Sequence, residues 1–310
     1  MFKKLSTFLL SLILTFSFNQ VFAADIPVIV ISPSKTAQSA STVGTSVTVL
    51  DENFFKNSNE LFLGDVLKGN SNSVNFFQNG GPGQTSAIQL RGLPKRYSTV
   101  YIDGVKMSDP SSVSNDFDFN HILTSSISRV EILKGNQSSV YGSGAIGGTI
   151  NITTKKGQPG FQKNIQYNTA SHGTHNLSLS LSAADENDNF YVGLERFQTD
   201  GISAMTHNDE SDPYKNHTFL TNYGYKISDQ LDYRAIYKLT DSKLHYDAIK
   251  ESFDQVDNKS HEKDSSATFQ VNYKPTDSLE SSLVLGSGYM SRTADNVKSQ
   301  FSNQVVEQEV

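Results

Sequence analysis

The stretch VYGSGAIGGTINITTKK, residues 140–156, decides the fold, because it contains a literal G-x-G-x-x-G at Gly142, Gly144 and Gly147. In a dinucleotide-binding site these glycines follow a strand, open a helix and precede an acid by about 20 residues. Here they are followed by TINITT, a β-branched alternating run that favours a strand. The later segment GFQKNIQ contains no Asp or Glu. The context therefore argues against a nucleotide site.

The first 23 residues have the pattern of a secretory signal peptide. Lys3 and Lys4 precede an apolar stretch at residues 9–18, and Ala23 provides a small residue for cleavage. The apolar stretch is shorter than the roughly 20 residues that span a membrane as a helix. We expect an exported protein that is cleaved after Ala23.

Composition narrows the class of protein. The net charge of -6 argues against a nucleic-acid surface, and the absence of cysteine excludes stabilisation by disulfides. There are 13 tyrosines and 19 phenylalanines but no tryptophan. The seven histidines form no H-E-x-x-H motif, and no G-x-S-x-G nucleophile elbow is present. An outer-membrane β-barrel fits these features better than an enzyme does.

From residue 161 onward the sequence alternates between apolar and polar residues. The segments include NLSLSLS (residues 176–182), LDYRAIYKL (231–239) and ATFQVNYKP (267–275). Alternation with a period of two predicts strands with one apolar face, here about eight of them. Short connections such as residues 228–230 contrast with long ones predicted at 198–217 and 240–266, an asymmetry that is typical of membrane barrels.

Residues 46–156 differ from the rest of the chain. NELFLGDVLKGN (residues 59–70) predicts one helix, with Leu61, Val66 and Leu67 at helical spacing and Gly69 as its stop. SAIQLRG, STVYIDGV, SRVEILKG and GTINITTKK predict short strands that end near glycines. We expect an α+β domain of about 110 residues ahead of the barrel.

Two segments, SAIQLRGLPKRYSTVYIDGVKMSDPSS and ISRVEILKGNQSSVYGSGAIGGTINITTKKG, closely resemble the plug domain of TonB-dependent outer-membrane receptors. The resemblance covers residues 26–156 and continues loosely beyond them. It implies an α+β plug domain followed by an antiparallel transmembrane β-barrel in the outer membrane of a Gram-negative bacterium. It also implies that the glycines are structural, because a Cβ would clash where the loop passes close to neighbouring backbone.

The resemblance divides the chain into a signal peptide (1–23), a TonB box and linker (24–45), a plug (46–156) and the N-terminal part of a barrel (161–310). The box matches DIPVIVIS, an extended segment that could add as a strand to TonB, the partner that transmits energy from an inner-membrane complex. The alternative is an apolar, disordered leader. The residues predicted to bind TonB are Asp25, Ile26, Val28, Ile29, Val30, Ile31 and Ser32.

Arg91 and Lys134 match plug positions that are basic in the family and that hold the plug to barrel glutamates. Buried charges need partners, and Asp103 and Glu131 are candidate local ones. The alternative is a pair of solvated basic residues.

FFQNGGPGQTSAIQLRG (residues 76–92) most resembles the receptors for cobalamin, which predicts a corrinoid ligand. The alternative ligand is a ferric siderophore, held by residues such as Arg96 and Tyr97. A passive porin or adhesin-like barrel would be a different class, and it would need neither plug nor box. The matching ligand-contact positions are Thr85, Ala87, Pro94, Ser112 and Val113.

The predicted long loops are rich in acids. Cobalamin receptors bind calcium in such loops, and Ca²⁺ requires several carboxylate or carbonyl oxygens. A solvated, charged loop is the alternative, and no other cofactor is required. The candidate ligands are Asp209, Asp212, Asp241 and Asp247.

Barrel size sets a last expectation. Eight strands enclose only side chains, whereas 22 can hold a plug. The chain ends in FSNQVVEQEV, without a terminal aromatic residue. We expect an incomplete barrel, with about eight of 22 strands, that does not insert by itself as a closed transporter.

Overall fold

The computed structural model describes residues 29–30, 38–71, 73–108, 117–203, 211–246, 258–276, 279–294 and 297–309. For residues 29–30 and 297–309 it describes the backbone only. An α+β domain is followed by a sheet of eight antiparallel strands, which confirms the predicted fold class and the incomplete barrel. None of the helices in the described part of the chain is long and apolar enough to cross a membrane.

The α+β domain, called the plug below, is built on a five-stranded sheet with the order β3-β8-β9-β6-β7. Strands β6 and β9 run parallel, and the other neighbours run antiparallel. Two strand pairs lie outside this sheet, β1 with β2 and β4 with β5. The strands are β1 Ile29–Val30, β2 Gln38–Ser39, β3 Ser46–Leu50, β4 Val74–Gln78, β5 Ser86–Leu90, β6 Ser98–Ile102, β7 Val105–Met107, β8 Ile127–Lys134 and β9 Gly148–Thr154.

The described residues of the plug form three α-helices where the sequence predicted one: α1 Glu52–Asn57, α2 Leu63–Asn70 and α3 Ser138–Tyr141. Helix α1 is capped by Asp51, whose carboxylate accepts a hydrogen bond from the Phe54 amide at 2.9 Å. Single 3-10 turns lie at Ala40–Thr42, Lys95–Tyr97 and Thr124–Ser126.

Helix α2 contributes Leu63, Val66 and Leu67 to the plug core, all of them fully buried. The prediction that Gly69 stops this helix is wrong. Gly69 lies within the helix, which ends one residue later, and the next residue, Ser71, is extended. The Asn70 side chain donates to the Val66 carbonyl at 2.8 Å, so a local hydrogen bond supports the last turn without a left-handed glycine.

The glycines of residues 140–156 are structural, as predicted. Strand β9 begins at Gly148, directly after the glycine-rich turn, and no helix opens there. Gly148 has a φ of +146°, and a Cβ at this position would overlap the Leu133 carbonyl on the neighbouring strand β8. Gly144, with a φ of +99°, supplies a second left-handed position.

The eight later strands form a meander in which each strand pairs with the next, and this sheet is called the wall below. The predicted number of strands is confirmed. The strands are β10 Gly160–Ala170, β11 Thr174–Ala184, β12 Asp188–Thr199, β13 Tyr214–Ser228, β14 Leu231–Tyr246, β15 Asn258–Thr276, β16 Leu279–Ala294 and β17 Val297–Glu309.

The predicted long loops are shorter than expected. Strands β14 and β15 extend far into the segment 240–266, with Asp241 paired to Lys263 and Tyr246 to Asn258. Polar side chains on both faces hide this alternation in the sequence. The connections after β11, β13 and β15 share one end of the wall, the turn end. Those after β10, β12, β14 and β16 share the other, the loop end.

The wall is apolar on its outer face and polar on its inner face. Leu194 points outward and is 53% exposed, whereas its strand neighbour Glu195 points inward and is 6% exposed. The same inversion recurs along the wall. Exposed outward residues include Ile165, Leu179, Phe269, Leu285 and Tyr289, and buried inward residues include Asn176, Asn216, Thr218, Thr240 and Glu262. This polarity suits a sheet that faces lipid on one side and the plug on the other.

Replacing Gly148 by alanine should destabilise the plug by about 3 kcal/mol or more, because the Cβ would overlap strand β8 and the φ is unfavourable. Hydrogen exchange of the β8 and β9 amides measures this loss of stability, in purified protein that is expressed from the native gene. Gly69→Ala is the matched control, since its Cβ meets nothing within 4 Å and should be neutral or stabilising by up to about 1 kcal/mol. Equal protection in both variants would contradict the structural role of Gly148.

Candidate functional site

The plug contacts the inner face of the wall near the loop end through His121. Its Nδ1 lies 2.7 Å from the Tyr214 hydroxyl on β13, and its Nε2 lies 3.3 Å from Glu262 Oε1 on β15. The other oxygen of Glu262 accepts from the Arg292 guanidinium on β16 at 2.6 Å. Asn216 donates to the Tyr214 hydroxyl at 2.9 Å and to the His121 carbonyl at 3.2 Å. These five residues are called the His121 cluster.

The loop that carries His121 is fixed by Asp118. One oxygen of its carboxylate accepts from the Ser86 hydroxyl at 2.6 Å and from the amides of Ser86 and Asn120 at 3.2 Å each. The Asn120 amide group donates to the Gly83 carbonyl at 2.7 Å. Burial raises the pKa of Asp118, although the hydrogen bonds from Ser86 and Asn120 oppose the shift. Strand β5 and the residue 117–123 segment therefore approach the wall as one unit.

Gly83 lets this unit lie against the wall. Its φ is +83°, and a Cβ there would overlap the Tyr214 ring. Tyr214 is fully buried and also packs against Phe62 and Phe197, with ring centroids 6.2 Å and 5.9 Å away. A tyrosine on the wall thus has its ring among apolar plug and wall side chains and its hydroxyl on His121.

Other contacts dock the plug closer to the turn end. Glu195 on β12 accepts hydrogen bonds from Ser125 of the plug and, at 3.0 Å, from Asn176 on β11. Asn222 donates to the Lys155 carbonyl at 3.1 Å, where the chain leaves the plug. The β6–β7 hairpin packs on β16 at Gly286, where a Cβ would overlap Val105.

A cleft of about 230 Å³ lies between the plug and the wall at the loop end. The plug contributes Gly83, Gln84, Thr85, Asp118, Asn120 and His121, and the wall contributes Ser242, Leu244, Tyr246, Ser260, Glu262, Arg292 and Ala294. Amide, hydroxyl, aromatic and charged groups line one space, which suits binding of a polar molecule.

Of the residues predicted to contact ligand, only Thr85 lines this cleft among the described positions, and it is exposed. Ala87 is half-buried on β5 opposite Phe77, and Pro94 is exposed just before the 3-10 turn. Ser112 and Val113 lie outside the described residues. Ligand contact stays a prediction for all five.

The alternative ligand residues, Arg96 and Tyr97, lie together. The guanidinium carbon of Arg96 is 4.9 Å from the centroid of the Tyr97 ring. This pair belongs to the same segment as Pro94, between β5 and β6.

The basic motifs LRG and LKG are close in space, because the Arg91 guanidinium lies 3.1 Å from the position that a Cβ on Gly135 would take. Arg91 is exposed, Lys134 is half-buried, and neither forms an ion pair with a glutamate among the described residues. Their role in holding the plug stays a prediction.

The candidate local acids of the plug have other partners. Glu131 bonds to Arg129 at 2.7 Å. Asp103 accepts from the Thr154 amide at 2.9 Å and from its hydroxyl at 2.8 Å. Burial raises the pKa of Asp103, against the effect of these hydrogen bonds. Asp103 thus joins β9 to the β6–β7 turn.

The structure describes two of the four residues that were predicted to bind calcium. Asp209 and Asp247 lie outside the described residues. Asp212 is buried, and Asp241 lies 3.0 Å from His261 Nε2 and 3.4 Å from Lys263 Nζ. Within the described ranges, no group of three or more acidic or histidine side chains could hold a metal ion. Calcium binding stays a prediction.

In the predicted TonB box, Ile29 and Val30 form strand β1, which pairs antiparallel with Gln38 and Ser39 of β2. Asp25, Ile26, Val28, Ile31 and Ser32 lie outside the described residues, as does the signal peptide. The extended backbone at Ile29–Val30 agrees with the conformation expected for strand addition, while TonB binding itself stays a prediction.

Sequence reasoning missed the His121 cluster and Glu195. His121 was one of seven unassigned histidines, and Glu262 fell in a segment predicted as loop. The inward position of Asn216 and Glu195 could have been found from the alternation along β13 and β12, since their neighbours Phe219 and Leu194 mark the outward register.

Comparison with known proteins gives one family match and several structural ones. Residues 39–149 match the family described as TonB-dependent Receptor Plug Domain. The ferric yersiniabactin uptake receptor of Yersinia pestis matches with a TM-score of 0.71 and 20% identity, over 87% of this chain and 46% of that one. The siderophore receptor PirA of Acinetobacter baumannii matches with a TM-score of 0.65 and 15% identity, over 84% and 44%.

A mutant of the ferric enterobactin receptor of Pseudomonas aeruginosa, in complex with enterobactin, matches with a TM-score of 0.64 and 15% identity, over 84% of this chain and 45% of that one. The chain thus spans less than half the length of these receptors. At such identities the structural matches show the fold. Residues 39–149 therefore match the plug domain of TonB-dependent receptors, and the strands that follow have the fold of those receptors' barrels.

Proposed function

We propose that the protein is an outer-membrane receptor of a Gram-negative bacterium that takes up a scarce ligand with energy from TonB. The observation that carries the proposal is the plug docked on the polar inner face of a wall whose outer face is apolar. The wall can face lipid while the plug closes the interior. Transport then consists of binding and gating, without covalent chemistry.

The plug separates this proposal from a passive porin. A domain docked through buried hydrogen bonds near both ends of the wall blocks free diffusion, so a step that displaces it is required. The signal-peptide pattern at residues 1–23 and the extended strand β1 fit an exported protein that presents a segment to TonB.

For the ligand, we propose a ferric siderophore ahead of a corrinoid. The solved structures that match are receptors for ferric yersiniabactin, ferric enterobactin and a siderophore. An anionic iron chelate needs cationic and aromatic groups, and the pair of Arg96, which is exposed, and Tyr97, which is half-buried, supplies one of each.

The corrinoid stays the second candidate because of one sequence feature. The segment QNGGPGQTS, residues 78–86, resembles the loop of cobalamin receptors, and its Thr85 lines the cleft at the loop end. Calcium in the acidic loops belongs to this alternative.

Val30→Pro should abolish energy-dependent uptake while leaving ligand binding at the cell surface unchanged, because proline removes the backbone N–H that a strand addition uses. Uptake is measured as the accumulation of radiolabelled ligand by cells of the native host. Binding at the cell surface is measured with the same ligand on de-energised cells. Val30→Thr keeps the N–H and the β-branched shape, and serves as the control. Uptake by Val30→Pro at the wild-type rate would contradict TonB capture at this segment.

Thr85→Trp should weaken ligand binding by roughly tenfold or more, since a bulky side chain in the cleft removes at least about 1.4 kcal/mol of binding free energy. The assay titrates purified protein with ferric enterobactin, ferric yersiniabactin and cyanocobalamin, with and without calcium. Asn53→Trp, exposed on α1 and outside the cleft, is the control.

Binding of a ferric chelate would support the first ligand, and calcium-sensitive binding of cyanocobalamin the second. Equal affinity of Thr85→Trp and wild type would contradict the cleft as the ligand site.

A further inference from the structure

We propose that His121 is the positioning residue that holds the plug closed against the wall, through the hydrogen bonds that join it to Tyr214 and Glu262. The proposal requires only a docked plug. It depends on neither TonB nor the identity of the ligand, so it can fail or hold independently of the proposed function.

The geometry supports this role because one plug side chain bridges separate strands of the wall. The two ring nitrogens of His121 face β13 and β15, at 2.7 Å from the Tyr214 hydroxyl and 3.3 Å from Glu262. Arg292 of β16 orients the same carboxylate, and Asn216 holds the His121 backbone. Displacing the plug from this region must break the contacts of His121 with Tyr214, Glu262 and Asn216.

Burial makes the cluster costly to break. Tyr214 and Asn216 are fully buried, Glu262 is 5% exposed and His121 is 9% exposed. If the plug is displaced, Glu262 keeps Arg292 but loses the attraction of its second cationic partner, which helps to offset the desolvation of a buried carboxylate.

The cluster also makes docking sensitive to pH. Burial lowers the pKa of His121, but Tyr214 and Glu262 outweigh it, so the pKa lies well above its ordinary value. A raised histidine pKa stabilises docking fully below the pKa of the free side chain, and this stabilisation is lost as pH rises through the docked pKa. The neutral ring keeps its hydrogen bonds to Tyr214 and Glu262 but loses its charge attraction to the carboxylate.

Other ionisable groups face the same space. Asp118 lies on the loop of His121, while Asp264 on β15 and Lys238 on β14 line the adjoining cavity with Glu262. Burial raises the pKa of Asp118, so its titration acts in the same direction. Comparing the pH dependence of docking between the wild type and a variant that lacks the His121 imidazole isolates the contribution of His121.

The test uses a single introduced cysteine as a reporter of plug docking, since the 310 residues contain none. Ser242→Cys lies on β14 in the cleft beside His121, and Ser242 is 2% exposed. Ser178→Cys, on the inner face of β11, is the matched control, since Ser178 is 6% exposed. The rate of maleimide labelling is measured by peptide mass spectrometry between about pH 6 and 9, in protein purified from the native gene. The ratio of the two rates cancels the intrinsic pH dependence of the thiols.

We expect this ratio to be low near pH 6 and to rise with pH. In His121→Gln it should be raised roughly tenfold or more at pH 6 and should vary less with pH, because the charged contact is absent. Glu262→Gln should also flatten the profile, and His175→Gln, half-buried on β11 and outside the cluster, should change nothing.

A His121→Gln profile identical to that of wild type would overturn the proposal. Should both glutamine variants fail to fold, a wild-type ratio that stays constant from pH 6 to 9 would overturn it as well.

Discussion

The whole arrangement depends on the inverted polarity of the wall. Outward leucines and aromatic residues leave the inner face with asparagine, serine, threonine and glutamate side chains, many of them buried. Buried polar groups are stable only when they are hydrogen-bonded, and the neighbouring strands already use their backbone groups for the ladder. The plug supplies the missing partners: His121 for Tyr214 and Glu262, Ser125 for Glu195, and the Lys155 carbonyl for Asn222.

Docking of this kind differs from packing in a protein core. Among the described residues, one cluster of buried apolar side chains crosses the interface, where Leu123 meets Phe197, Tyr214 and Leu244, whereas the plug's own core contains many more. Several buried oxygens on the wall, on Asn176, Asn222 and Asp264, have no protein hydrogen-bond partner within the described residues. An interface built from a few polar contacts can be opened and closed without unfolding either side, because water can replace each partner in turn.

The sequence predicted what local patterns control and missed what depends on distant contacts. Alternation through NLSLSLS and ATFQVNYKP predicted the strands and their number, because one face of each strand is uniformly apolar. It failed over residues 240–266, where Asp241 and Lys263 place polar groups outward. Helix α1 was missed because ENFFKN is too short to show a helical period, although Asp51 is a good cap. In the candidate site, resemblance to a family led to Thr85, but nothing near His121 in the sequence indicates that Glu262 faces it.

The topology also determines where a pull on the N-terminal segment acts. Strand β3 is the edge of the plug sheet and is the first strand of that sheet in the chain, so force applied through residues 29–45 reaches β3 first. It pairs antiparallel with β8, and Ser46 lies opposite Lys134 while Leu50 lies opposite Val130. A pull on Ser46 directed away from β8 would therefore load the pairs one after another from the Lys134 end, which requires less force than shearing all five pairs together. Such peeling would expose β8 first at its end near Gly135 and would proceed towards its other end, at Ile127. The Ile127 end follows the segment that carries His121. Under the proposed function, opening of the plug sheet begins beside the LRG and LKG motifs and reaches the His121 contact last.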